Sequence, residues 1–244
     1  MKVRVEVCVT SVEEAIAAER GGADTVEVCS WLACGGVTPG PGIVRVLRDR
    51  MRIPVRVLVR CHGGGFHYTQ AEKDVMLADM EHFAAWPGTS IVFGALDGRG
   101  DLDADLLRSA LGASTGREFT FHRAIDQSRD SQALLEQLGG LGVPRVLTSG
   151  GETLAVNGRV RLRSMQRWAE GRLQLAMAGG ISASNVVELV GATGIDEVHF
   201  SAQRSSSRPA HPVGMSSRGA SFAPECDVGK IEGVLNALVK AGLR

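Results

Sequence analysis

Apolar and polar residues alternate strictly along Val3-Arg4-Val5-Glu6-Val7-Cys8-Val9. This period of two places successive side chains on opposite faces of a β-strand. Ser11-x-x-Glu14 then predicts a capping box, ahead of an apolar stripe of Val12, Ala15, Ile16 and Ala18 that stops at Gly21-Gly22. The strand-then-helix unit recurs. Strands are predicted over 25–29, 55–60, 91–94, 119–122, 146–149, 173–177 and 198–201. Helices are predicted over about 42–51, 70–85, 104–111, 131–138, 160–169, 183–190 and 228–243.

Eight strand–helix units in 244 residues predict an α/β fold with right-handed crossovers and a parallel sheet. That number fits a closed (β/α)8 TIM barrel with outer helices, folded as a single domain over residues 1–244. An open, doubly wound sheet would make its central strands continuously apolar. Strands one to three instead carry charge at alternate positions. The apolar set, Val5, Val7, Val9, Val26, Val28, Val55, Val57, Val59, Phe119, Phe121, Val198 and Phe200, then faces the helices. Arg4, Glu6, Cys8, Glu27, Cys29, Arg56, Leu58, Arg60, Thr120, His122, Glu197, His199 and Ser201 face the barrel interior.

Composition narrows the function classes. The chain has 27 Lys+Arg against 27 Asp+Glu and a hydrophobic share of 44%, so neither a disordered chain nor a nucleic-acid binder is expected. No apolar run of about 18 residues is present to span a membrane, and the N-terminus lacks a signal-peptide core. Five cysteines, an odd number with no regular framework, suit a reducing compartment, so a cytoplasmic protein is expected.

Three connections after strand ends are long: 30–41, 61–69 and 203–227, the last long enough to be a lid or to be partly disordered. Active sites of this fold lie at that end. The alternation gathers Glu6, Cys8, Glu27, Cys29, Arg60, His122, His199 and Ser201 there. Such a set either forms a structural ion-pair network or supplies shifted pKa values for proton transfer. Ala178-Gly179-Gly180 leads from strand seven into a helix, and Ser149-Gly150 ends strand six. Backbone N–H groups at such turns can hold phosphate or another anion. Cys8 and Cys29 sit at equivalent points of adjacent strands, where they are either small buried hydrophobes or a pair of thiolates for a soft ion such as Cu(I).

The residues Glu6-Val7-Cys8-Val9, Gly21-Gly22-Ala23-Asp24, Val26-Glu27-Val28-Cys29-Ser30 and Gly35-Gly36-Val37-Thr38-Pro39 resemble the N-terminal signature of the CutC family. Val59-Arg60, Phe66, Val92-Phe93-Gly94, Phe121-His122-Arg123-Ala124, Asp126, Leu147-Thr148-Ser149-Gly150 and His199-Phe200-Ser201-Ala202 continue the resemblance in order. It implies a cytoplasmic, oligomeric TIM barrel, with copper homeostasis as its role and copper, as Cu(I), as its ligand. The chain departs from the family after strand three: where the family has Arg-Pro-Arg-Gly-Gly-Asp-Phe, Arg60-Cys61-His62-Gly63-Gly64-Gly65-Phe66 stands here, so that either the loop binds something different or Cys61-His62 adds metal ligands. The family's Gly-Gly-Gly after strand seven is Ala178-Gly179-Gly180.

Three readings compete. The first is a copper-binding protein with Cys8 and Cys29 as ligands. The second is an enzyme on a small anionic or phosphorylated metabolite, with Glu6 or Glu27 as base, His122 or His199 as acid and Arg60 as clamp. Arg60, Arg123, Ser149, Gly150, Gly179, Gly180 and Ser201 would then hold the anion. The third is a non-catalytic interaction protein. None of the three calls for a nucleic acid or a membrane as partner; a metal ion or a small anionic molecule is expected, in a homo-oligomer.

Overall fold

The structure, a computed structural model, describes residues 2–204 and 225–244. The connection long enough to be a lid therefore lies, over 205–224, outside the described residues. Eight parallel strands close into a barrel in sequence order: β1 (Arg4–Val9), β2 (Thr25–Val28), β3 (Val55–Leu58), β4 (Thr89–Phe93), β5 (Phe119–Phe121), β6 (Arg145–Thr148), β7 (Gln174–Met177) and β8 (Glu197–Ser201). Helices α1 (Val12–Gly21), α2 (Pro41–Arg50), α3 (Gln70–Ala84), α4 (Ala104–Ala113), α5 (Ser131–Gly140), α6 (Ala155–Ala169), α7 (Val186–Thr193) and α8 (Val228–Lys240) connect and surround them.

The alternation along the strands sorts side chains as the sequence predicts. Val5, Val7, Val9, Val26, Val28, Val55, Val57, Val59, Phe119, Phe121, Val198 and Phe200 join the large core between sheet and helices. Cys8, Cys29, Leu58 and Val92 form a separate apolar cluster inside the barrel, and Leu147, Ala176 and Ala178 another.

Element ends differ from the pattern where tertiary contacts intervene. Ser11 caps α1 by accepting from the Glu14 N–H at 3.1 Å, but the Glu14 carboxylate reaches one residue further back than a capping box, to the Thr10 N–H at 2.5 Å. A full capping box closes α3 instead, between Thr69 and Glu72. Helix α6 starts five residues earlier than its apolar stripe suggests, because the Ala155 N–H donates to the Gly179 carbonyl across the barrel top at 2.9 Å. Helix α7 starts later, because Asn185 is used in the preceding turn. Its amide accepts from the Ser182 N–H at 2.9 Å and donates to the Gly180 carbonyl at 2.8 Å.

Register positions the site. Between β1 and β8, Glu6 stands opposite His199 and Cys8 opposite Ser201; between β1 and β2, Cys8 stands opposite Glu27.

Candidate functional site

The lower half of the barrel interior is an ion-pair network. Arg145 donates from Nη2 to Glu6 Oε1 at 2.8 Å, from Nε to Glu197 Oε1 at 2.9 Å and from Nη1 to Thr120 Oγ1 at 3.0 Å. Arg56 pairs with Glu6 and with Glu197, the latter at 3.2 Å. His199 Nδ1 meets Glu6 Oε1 at 2.8 Å. Burial would push the Glu6 carboxyl up, but Arg145, Arg56 and His199 outweigh it and hold Glu6 well below the usual carboxylate range. Two carboxylates facing two guanidinium groups leave little uncompensated charge, the condition for burying them at all.

Above this layer opens a cavity of about 330 Å³ at the C-terminal end of the strands. Cys8, Glu27, His199 and Ser201 line one side; Arg60, Phe66 and His122 another; Gly179 and Gly180 a third; and Lys230 from α8 reaches in from the edge. Here polar atoms lack partners. Glu27 Oε2, His122 Nε2 and Arg60 Nε are buried with no hydrogen-bond partner. Burial pushes the Glu27 carboxyl up more than its positive neighbours pull it down. Burial works against a charged His199, yet Glu27 and Glu6 together raise its pKa. Burial and the nearby Arg60 charge drive His122 down to about 3, so the ring is neutral. Its Nδ1 accepts from the Ala124 N–H at 3.1 Å, which places the ring proton on the unpartnered Nε2. Gly94 makes room for this ring, since a Cβ there would come within 2.5 Å of His122 Nδ1.

The sulfurs of Cys8 and Cys29 lie 3.6 Å apart, both buried. The Cys29 hydrogen bond and burial raise the Cys8 thiol well above its ordinary value. Cys8, Glu27 and His199 each offer one ligand atom, all within 4.8 Å of one another. Two sulfurs, an imidazole nitrogen and a carboxylate oxygen without a partner make a donor set suited to a soft or borderline metal ion.

The sequence profile of the CutC family matches residues 3–204. The chain belongs to the CutC family. A human relative named a copper homeostasis protein cutC homolog is 40% identical over 219 residues, covering 90% of this chain and 78% of its own. A CutC family protein of Xylella fastidiosa (strain Temecula1) is 41% identical over 199 residues, covering 82% and 74%. The solved CutC structure from Streptococcus agalactiae superposes with a TM-score of 0.77 at 25% identity, covering 81% of this chain and 97% of that one. Phosphoribosylanthranilate isomerase from Pyrococcus furiosus shares the barrel alone, at TM-score 0.57 and 15% identity, covering 98% of this chain and 99% of its own.

Within this CutC-family barrel the residues singled out by sequence fall into three groups. Cys8, Glu27, Arg60, His122, Arg123, His199, Gly179, Gly180 and Ser201 line the cavity, and Cys29 sits beside Cys8. Glu6 lies below it and touches it only through His199. Ser149 and Gly150 depart from their expected anion-binding role, because the turn after β6 already cradles an anion of the chain's own. The Asp126 carboxylate accepts from the Ser149 N–H and the Gly151 N–H at 3.0 Å and from Thr148 Oγ1 at 2.6 Å. Arg123 is committed to the same carboxylate, Nε to Oδ2 at 2.8 Å. Arg60 is likewise not a free clamp. Its guanidinium donates to the carbonyls of Cys34 at 3.3 Å, Gly36 at 3.1 Å and Gly64, and stacks 4.8 Å over Phe66.

Sequence reasoning missed Arg145 and Lys230. Arg145 precedes the apolar stretch of β6, where a charge reads as loop. Lys230 belongs to the first turn of α8, far along the chain from the barrel. Its ammonium donates to the Ser201 carbonyl, and burial lowers its pKa. The one signal available was the scarcity of lysine: only Lys2, Lys73, Lys230 and Lys240 occur in a chain with many arginines.

Proposed function

We propose that the protein serves copper homeostasis by taking up Cu(I) at the mouth of its barrel, with the Cys8 and Cys29 thiolates as ligands. The observation that carries this reading is the pair of buried sulfurs 3.6 Å apart, next to Glu27, whose Oε2 has no hydrogen-bond partner. Thiolates select Cu(I) over harder ions. His199 supports the pair: with Nδ1 held by Glu6, its Nε2 faces the cavity as a third donor, in the orientation a carboxylate–histidine pair imposes. Glu6 is in turn fixed by Arg56 and Arg145, so the ion-pair layer acts as the floor that positions His199. The names of the relatives support the copper role. The unpaired cysteines support a reducing, cytoplasmic setting. A homo-oligomer completes this reading on the resemblance to the family.

The test is a competition titration against a chromophoric Cu(I) chelator under anaerobic conditions. Wild type is expected to win copper from the chelator. A folded Cys8→Ser/Cys29→Ser double variant is expected to lose more than about a hundredfold in affinity, beyond the 10–100-fold typical of second-layer changes. Equal affinity of the two proteins would sink the proposal.

A second reading is favoured by Lys230, which stands at the same mouth as Gly179 and Gly180. In it the barrel is an enzyme acting on a small anionic or phosphorylated metabolite. Lys230 and the turn after β7 would hold the anion, and the neutral His122 Nε2–H and Glu27 would flank the reacting atoms. A library of phosphorylated metabolites that fails to shift the melting temperature at millimolar concentration would remove this reading.

A further inference from the structure

The loop between β3 and α3, together with the first turn of α3, carries a second group of ligand atoms. Cys61, His62 and Glu72 each place one such atom within 4.8 Å of the others, on the rim of the barrel rather than in its mouth. We propose that these three side chains form a separate site for a borderline divalent cation such as Zn²⁺, and that filling it unties the triglycine loop 63–65 from His62.

Each partner is held in place by the local structure. Glu72 is the third residue of α3 and closes its capping box: Oε2 accepts from the Thr69 N–H at 2.7 Å and from Thr69 Oγ1 at 2.9 Å. That pins the carboxylate and leaves Oε1 facing His62 Nε2 at 3.3 Å. The His62 ring lies 5.4 Å from that of Tyr68, whose hydroxyl is buried with no hydrogen-bond partner. Cys61 supplies the thiol. Zinc bonds of about 2.0–2.2 Å at a tetrahedral angle set nitrogen and oxygen ligands about 3.4 Å apart. His62 Nε2 and Glu72 Oε1 stand at 3.3 Å, so the Cys61 sulfur, now within 4.8 Å, has only to draw in to about 3.6 Å to complete the set, with a fourth position left for water.

The coupling to the loop follows from proton bookkeeping on one ring. His62 Nδ1 accepts from the Gly64 N–H at 3.0 Å, so the ring proton sits on Nε2. A cation on Nε2 displaces that proton, and a neutral imidazole then carries its proton on Nδ1, facing a donor. A cation on Nδ1 takes the lone pair itself. By either route the Gly64 N–H loses its acceptor, and the displaced protons, from Cys61 and from the ring where it rearranges, pass to solvent or to Nδ1. Gly64 also accepts from Arg60, which lines the cavity, so the loosened peptide bears on the mouth of the barrel.

The test uses the full chain carrying Cys8→Ser and Cys29→Ser, so that its outcome is independent of the copper site. Co²⁺ is titrated as the probe, and the sulfur-to-cobalt charge-transfer absorption is read. One equivalent of bound Co²⁺ showing this band, removed by adding Cys61→Ser and weakened at least about tenfold by His62→Asn, is the expected result. Hydrogen–deuterium exchange of the peptide covering 62–66 should quicken when Zn²⁺ is added, and should not respond in the Cys61→Ser protein. The absence of the band, its survival in Cys61→Ser, or unchanged exchange of that peptide on saturation would overturn the proposal.

Discussion

The two layers of the barrel interior differ less in composition than in how their charges are paired. The lower layer holds Glu6, Glu197, Arg56, Arg145 and Thr120, and each charged head there has a partner of opposite charge, although Arg56 Nε and Glu197 Oε2 make no hydrogen bond. The mouth holds Glu27, His199, His122, Arg60 and two thiols, and leaves Glu27 Oε2, His122 Nε2 and Arg60 Nε without partners. Buried polar groups are normally paired because an unpaired one loses its hydration for nothing in return. Orphaned atoms that share one cavity with free thiols therefore mark where a ligand belongs, while the ion-paired layer beneath is scaffold. The same contrast separates the two glycine turns. That after β6 is filled by Asp126, whereas Gly179 and Gly180 after β7 line the open cavity.

The largest expected effect comes from breaking the scaffold. Glu6→Gln leaves Arg56 and Arg145 facing one carboxylate fewer and should cost about 3–5 kcal/mol in urea unfolding. If Glu27→Gln costs as much, the distinction between the layers collapses. His122 gives the next effect, through pH. Its pKa is about 3 in the fold against an ordinary 6.5, so between those values the unfolded chain binds a proton that the folded one refuses. Stability from this residue is full above about 6.5 and falls as the pH drops towards 3, at up to about 1.4 kcal/mol per unit. His122→Asn, whose amide oxygen can still accept from the Ala124 N–H, should flatten that acid limb.

A smaller effect sharpens the comparison of the glycine turns. Asp126→Ala empties the cradle after β6 and should cost about 1–3 kcal/mol. Sulfate should restore part of that loss and stabilise the variant more than wild type; equal responses would show that the vacated donors do not form an anion site. The smallest change in stability is expected for Glu27→Gln, within about 1 kcal/mol of wild type, because the carboxylate has no ion pair to lose and its one partner, the Cys8 thiol at 3.9 Å from Oε1, is a weak donor. Its copper affinity should nonetheless fall about tenfold.

Much of this was legible in the chain. The strict alternation of Val5, Val7 and Val9 with Glu6 and Cys8 named the inward faces, and the repetition of the unit named the barrel. The inward set already contained most of the residues at the mouth. What the pattern did not reveal was depth. Glu6 and Glu27 look alike in sequence, each two residues before a cysteine, yet one is clamped by Arg56 and Arg145 and the other meets only the Cys8 thiol and keeps one oxygen without a partner.

The sequence by itself thus determined which side chains point inward, because side-chain direction in a strand is a local property of the backbone. Only the tertiary structure decided their partners, because those depend on strand register and on groups distant in the chain. Arg145 lies 139 residues from the Glu6 it holds, Lys230 is 29 residues beyond the Ser201 carbonyl it meets, and Asp126 reaches across 25 residues to fill the cradle at Gly151. Such contacts follow from the closure of the barrel, which no local pattern encodes.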